Sequence, residues 1–296
     1  MSKVQLAISP LTWSNDDLPS LGGNISLETC LAGMHKAGFL GSEMGVKYPR
    51  TVQELKPKLE ANGLQLASGW YSIELCARSV EEEIKAVQPH LALLKGCGCK
   101  VMVGGEVSNT VHGDINIPLA NRVILTEKEW KEYGDKLTTF ADYLLEQGIR
   151  LAFHHHVGTI CETPQDLDLF LKYTGESVGL TFDTGHATYG GGDAAQLIRK
   201  LGHRIVHLHT KDIRLDVMKK ARAHNDSFLT SVLDGVFTIP GDGDLNWQDI
   251  FAAVKEFDYE GWIVVEAEQD PAIAEPQTYA DMAYKNLTTY IEQARL

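Results

Sequence analysis

The sequence predicts a (β/α)8 barrel, an α/β fold built from residues 1–296 as one domain. Three observations carry that expectation. Eight β-type runs alternate with eight helical ones, in repeats of about 30–40 residues, and strict alternation implies a parallel sheet that closes on itself. Titratable side chains gather at the C-terminal ends of successive runs, where a parallel barrel keeps its chemistry. No Pro/Gly/Ser-rich linker divides the chain. An open, doubly wound sheet is the alternative, but no glycine-rich phosphate loop follows the first strand.

Each element can be justified in order. VQLAIS (4–9) is a short β-type run, followed by Pro10 and a polar loop to Asn24 in which Trp13 is expected to be exposed. Ser26 caps a helix that runs to about Ala37, with Gly38 as its stop signal. GSEMG (41–45) is a brief second strand that delivers Glu43 and leads to Lys47. Thr51 opens a helix ending at Gly63, and LQLASGWY (64–71) brings Trp70 to the end of strand three. Val80 to Leu94 has helical periodicity, and KVMVGGE (100–106) is the fourth strand. A loop to about Leu125 precedes a strong helix, Glu127 to Gln147. RLAFHHH (150–156), VGLTFD (178–183), RIVHLHTKD (204–212) and GWIVVEAE (261–268) are strands five to eight. Thr163-Pro164 and Asp193 open the intervening helices, Asp244 or Asn246 caps the seventh after a long excursion from Ile213, and Pro276 to Ala294 is the last.

Composition excludes several classes. A net charge of −13 disfavours a nucleic-acid partner, whose affinity rests on clustered Lys and Arg. No apolar run reaches the length of a membrane span, and the start of the chain has no charged-then-apolar export pattern. Five scattered cysteines read as reduced thiols of a cytoplasmic enzyme.

The histidines are the strongest local signal: seven of the eleven lie between His154 and His209. Strand alternation puts His154 and His156 on one face, His207, His209 and Lys211 on another, and Glu266 with Glu268 on a third. His155 points to the helix layer, His203 sits at a turn, and His207 lies one step deeper than His209. His154, Asp183, His209 and Glu266 come from four successive strand ends. As mixed N/O ligands they suit Mn²⁺, Co²⁺, Fe²⁺ or Zn²⁺ better than Ca²⁺. His156, Glu162, His186, Lys211 and Glu268 are then candidates for proton transfer or for orienting the ligands. The metal charge is expected to lower the pKa of Lys211. His35, His90, His112 and His224 have no constellation around them in the sequence.

The strings DTGHATY, HLHTKD and GWIVVE resemble the signature strands of the xylose-isomerase-like TIM-barrel superfamily. That resemblance implies a metal held by Asp183, His209 and Glu266, with His154 standing where most relatives have Glu; Glu162 is the alternative for that place. ISPLTWSNDDLPSLGG (8–23), GSEMGVKYPR (41–50), SGWYS (68–72), FHHHVGT (153–159) and VVEAEQDP (264–271) resemble, more specifically, the inosose dehydratases of myo-inositol catabolism. This implies loss of water from 2-keto-myo-inositol to give a trihydroxycyclohexane-1,2-dione, with Mn²⁺ or Co²⁺ and glutathione as cofactors. It also implies a small polyol-ketone substrate and a homo-oligomer. Composition and spacing alone do not separate this from a ketose isomerase or epimerase, which needs the same enediolate. A three-metal DNA-repair endonuclease is disfavoured, because the early strand ends carry Glu43, Trp70 and Glu106 rather than added histidines. A non-catalytic sugar-binding barrel is the remaining class. On this reading His156 is the base and Lys211 the acid or oxyanion partner, while Glu162, His186 and Glu268 are substitutes. Trp13, Asn15, Glu43, Lys47, Trp70 and Glu268 are expected to surround the polyol, with the Trp13–Asp17 loop as a lid.

Overall fold

The computed structural model describes residues 3–296. Eight strands close into a barrel, every neighbouring pair parallel. In chain order the first seven are β1 (Val4–Ile8), β2 (Gly41–Met44), β3 (Gln65–Ile73), β4 (Val101–Glu106), β5 (Arg150–His154), β6 (Val178–Asp183) and β7 (Ile205–Thr210). A two-stranded antiparallel ribbon, β8 (Asp212–Ile213) with β9 (Phe237–Thr238), precedes the closing strand β10 (Gly261–Val265), which pairs with both β1 and β7. β5, β6 and the inner half of β10 are almost wholly buried, as expected of strands covered on both faces.

The outer layer consists of α1 (Leu27–Ala37), α2 (Val52–Ala61), α3 (Val80–Gly96), α4 (Glu127–Glu146), α5 (Pro164–Tyr173), α6 (Thr184–Tyr189), α7 (Ala194–Leu201), α8 (Leu215–His224), α9 (Phe228–Leu233), α10 (Trp247–Glu256) and α11 (Pro276–Ala294). Their starts follow from local chemistry. Ser79 and Thr126 close reciprocal capping boxes with Glu82 and Glu129, and Thr163 does the same with Asp166. Asn246, not Asp244, caps α10, accepting from Asp249 N. Gly38 stops α1 in the left-handed region at φ 104°.

Three features depart from the sequence reading. β5 ends at His154 and β10 at Val265, so His156, Glu266 and Glu268 stand on the irregular segments beyond. After β5 the chain curls, with His156 N donating to Cys161 O at 2.9 Å. The excursion from Ile213 is not a plain loop: α8, α9 and the ribbon enclose a small core of Ile213, Phe228, Val232, Val236 and Phe237. Buried Asp212 ties it down, accepting from Ile213 N, Gly241 N, Leu245 N and Trp247 Nε1. The third departure is α6, a short helix starting directly from the end of β6. Its N-cap is Asp183, whose Oδ1 accepts from His186 N at 2.8 Å.

Candidate active site and metal centre

A cleft of about 530 Å³ opens at the C-terminal face, lined by residues from the ends of β1 to β5, β7 and β10 and from the loop after β4. Its floor is the histidine–carboxylate group. His154 Nε2 lies 3.2 Å from His209 Nδ1, which is 2.8 Å from Glu266 Oε2 and 3.7 Å from Asp183 Oδ2. His154 Nε2 is 3.9 Å from the same Asp183 oxygen. One donor atom from each of the four lies within 4.8 Å of all the others.

These residues fit a divalent ion on two counts. Asp183 Oδ2 is buried with no hydrogen-bond partner, although the other oxygen of that carboxylate caps α6; such an orphan is costly unless a cation answers it. The donor set, two imidazoles and two carboxylates with one atom of each within 4.8 Å of the others, also suits ligand bonds of roughly 2.0–2.2 Å to one centre. Burial opposes a charged His209, but Glu266 and Glu43 outweigh it and raise its pKa well above the ordinary range. Burial and the neighbouring His209 keep His154 neutral. A bound ion would replace the His209 proton, as metal binding to imidazole generally does.

Behind the group, His207 Nε2 is 2.6 Å from Glu43 Oε1, and His209 Nε2 is 3.0 Å from Glu43 Oε2, an ion-pair contact outside hydrogen-bond geometry. Burial alone would raise the Glu43 pKa, but His209 and His207 bring it to about 2. Glu43 borders the cleft, yet its carboxylate is spent on orienting the two imidazoles.

Glu268 and His156 face the cleft on its other side, while Lys211 and His186 lie enclosed behind them. His156 Nδ1 donates to Val157 O at 2.7 Å, so Nε2 carries the free lone pair. Burial, then His112 and Lys211, lower its pKa well below 6.5. Lys211 Nζ is 2.5 Å from Glu268 Oε1, 2.8 Å from Glu266 Oε1 and 3.0 Å from His186 Nε2. Burial disfavours its charge, but Glu266, Glu268 and Asp183 overcome that and raise its pKa. The expected lowering is thereby corrected: three carboxylates surround the amine. Burial lifts Glu268 to about 7, against the pull of Lys211.

Several expected positions are not in the cleft. Trp13 is 3% exposed and packs under α1, where a Cβ on Gly33 would come within 2.7 Å of its ring. A short 3-10 turn, Pro10–Thr12, folds it inward. Asn15 is buried, its Oδ1 accepting from Asp17 N and Leu18 N. Lys47 Nζ donates to Gly22 O and Ile25 O, fastening the opening loop. Glu162 accepts from Gly158 N at 2.8 Å and faces Arg122 on the outer flank, so His154 and not Glu162 completes the four-residue group. Trp70 does line the cleft, its ring centroid 5.7 Å from that of His154. Asp16 and Asp17 of the expected Trp13–Asp17 loop line the cleft, and the structure adds Arg50 and His112 to the walls. Asp16 Oδ2 accepts from Val46 N, and His112 packs 4.9 Å from His156, centroid to centroid. No pattern marked His112, because the loop after β4 brings it there.

A closed parallel barrel with mixed imidazole and carboxylate donors at its C-terminal mouth is the architecture of an enzyme whose site could hold a divalent ion. The chain belongs to the xylose isomerase-like TIM barrel family, whose pattern matches residues 31–287. It is 46% identical over 287 residues to the rhizopine catabolism protein MocC of Rhizobium meliloti, covering 97% of this chain and 88% of that one. It is 42% identical to an inosose dehydratase of Geobacillus thermodenitrificans over 94% of each chain, and 41% identical to one of Clostridium perfringens over 96% of each. Among solved structures, L-ribulose 3-epimerase superposes with a TM-score of 0.70 at 16% identity, covering 100% of this chain and 96% of that one. The IOLI protein with a zinc atom superposes with a TM-score of 0.68 at 16% identity over 98% of each. At such identities these structures share the fold.

Proposed function

We propose that the chain is an inosose dehydratase, a hydro-lyase that removes water from 2-keto-myo-inositol to give a trihydroxycyclohexane-1,2-dione. The near-full-length identity of 41–42% to enzymes of that name carries the reading, and it outweighs the isomerase alternative, which rests on fold likeness alone. The cleft volume suits a single polyol ring.

The reaction removes a proton α to a ketone and a hydroxyl β to it. His154, Asp183, His209 and Glu266 would hold the ion, with Mn²⁺ or Co²⁺ our choice. When bound, the ion polarises the ketone oxygen as a Lewis acid. His156 is the base: it is neutral, its tautomer is fixed by Val157 O, and its free Nε2 is beside the cleft. Glu268 is the acid that protonates the departing hydroxyl, since its raised pKa lets it carry a proton near neutrality. This revises the role expected for Lys211, which does not line the cleft; it positions Glu268 and Glu266 from behind. Trp70 supplies an apolar wall for the ring, and Asp16, Arg50 and His112 supply polar contacts to its hydroxyls.

Glutathione, a cytoplasmic setting and a homo-oligomer complete the proposal by family likeness. Among the described residues no helix is long and apolar enough to cross a membrane. The test is incubation of Mn²⁺-loaded protein with 2-keto-myo-inositol, with and without glutathione, following the absorbance of the conjugated dione. The expected result is dione formation with no turnover of open-chain ketoses. Interconversion of ketoses without dione would overturn the reading.

A further inference from the structure

Next to the four-residue group lies another set of converging donors: His156, His186 and Glu268, each offering an atom within 4.8 Å of the others. By donor type alone it would accept a divalent ion. It already contains a cation. Lys211 Nζ is 2.5 Å from Glu268 Oε1 and 3.0 Å from His186 Nε2, and it reaches the first group at Glu266 Oε1, 2.8 Å, and Asp183 Oδ2, 3.8 Å. An ammonium has only donors, so His186 Nε2 must present a lone pair to it, as it would to a metal.

The lysine is built into this place. It is fully buried. Thr184 clamps its backbone from both sides, Oγ1 donating to Lys211 O at 2.7 Å and accepting from Lys211 N at 3.0 Å. Its aliphatic stem crosses the start of α6 where residue 185 is glycine; a Cβ there would lie 2.7 Å from Cγ and 2.9 Å from Cδ of Lys211. The ammonium also sits 4.9 Å from the centroid of the Phe237 ring.

We infer that the Lys211 ammonium occupies a second cation position, so that this chain holds one divalent ion where its donors would otherwise accommodate two. The inference rests on the metal reading of the four-residue group and is independent of the substrate.

The experiment counts bound Mn²⁺ per chain by elemental analysis after equilibrium dialysis, together with electron paramagnetic resonance for exchange-coupled Mn²⁺ pairs. Wild type should bind one ion with no coupled signal. Lys211→Ala vacates the position and should bind two ions with a coupled-pair signal; Lys211→Met, which fills the space without charge, should remain at one. Adding His186→Leu to Lys211→Ala should return the count to one. Lys211→Glu, which exchanges the ammonium for a further ligand, should also bind two and carries the test should the alanine variant fail to fold. Two ions in wild type, or one or none in folded Lys211→Ala or Lys211→Glu, would overturn the inference. These counts need no turnover, so failure to dehydrate 2-keto-myo-inositol would refute the functional reading without touching them.

Discussion

Gly185→Ala is the sharpest test of how the second strand-end cluster is held. The added methyl would lie 2.7, 2.9 and 3.0 Å from Cγ, Cδ and Cβ of Lys211, against an optimal carbon–carbon separation of about 3.5–4.0 Å. The lysine cannot swing aside, because Thr184 fixes its backbone and three acceptors hold its ammonium. Overpacking of this kind costs about 1–3 kcal/mol. Alanine returns roughly 0.5–1 kcal/mol of that, since position 185 is helical. The net expectation is a loss of about 1 kcal/mol, or a Tm lowered by roughly 2 °C for a chain of this size. Thermal unfolding of metal-loaded protein measures it, with Gly113→Ala as the control, because a Cβ at Gly113 meets nothing within 4 Å. A Gly185→Ala protein as stable as wild type would show that the lysine stem is not pinned there.

Further outcomes follow from the same geometry. Asp183→Ala should lose metal and activity together, and an unchanged metal content by elemental analysis would refute its place in the group. Trp13→Ala, by emptying a buried site, should destabilise the fold by about 3–5 kcal/mol in denaturant titration, while Trp70→Ala should mainly raise KM and abolish the fluorescence change on substrate binding. Burial raises Asp16 to about 6. The folded chain therefore binds that proton more tightly than the unfolded chain, so its contribution to stability is full below the ordinary carboxylate range and declines as pH rises toward 6. Asp16→Asn should flatten that part of the stability–pH profile, and an unaltered slope would contradict the assignment.

The barrel was legible because most of its strands are short, largely apolar runs, and those at β5, β6, β7 and β10 end on a donor or within one residue of it. Strand alternation put Lys211 on the face of His207 and His209, and the structure turns it inward beside Glu266 and His186. Alternation also put His156 with His154 and Glu268 with Glu266, and all four line the cleft although His156 and Glu268 lie past the last residues of β5 and β10. Trp13 was misread because its neighbours are polar, whereas its burial depends on Gly33, distant in sequence. Lys47 and Glu162 are charged residues whose partners, the Gly22 and Ile25 carbonyls and Arg122, come from other loops that no periodicity connects. His112 was invisible for the same reason, whereas Asp16 belongs to the Trp13–Asp17 loop expected over the substrate. The electrostatics of Lys211 required knowing that Glu266 and Glu268 both turn toward it, a consequence of closing β10 against β7.

The division of labour between His156 and Glu268 is tested most directly by measuring two rates on one sample. Metal-loaded protein and 2-keto-myo-inositol are mixed in deuterated water, with exchange of the α proton followed by NMR and dione formation by absorbance. His156→Ala should lose both exchange and elimination, whereas Glu268→Gln should retain exchange and eliminate at least tenfold more slowly. Wild-type exchange in His156→Ala would contradict the account and place the base elsewhere in the cleft.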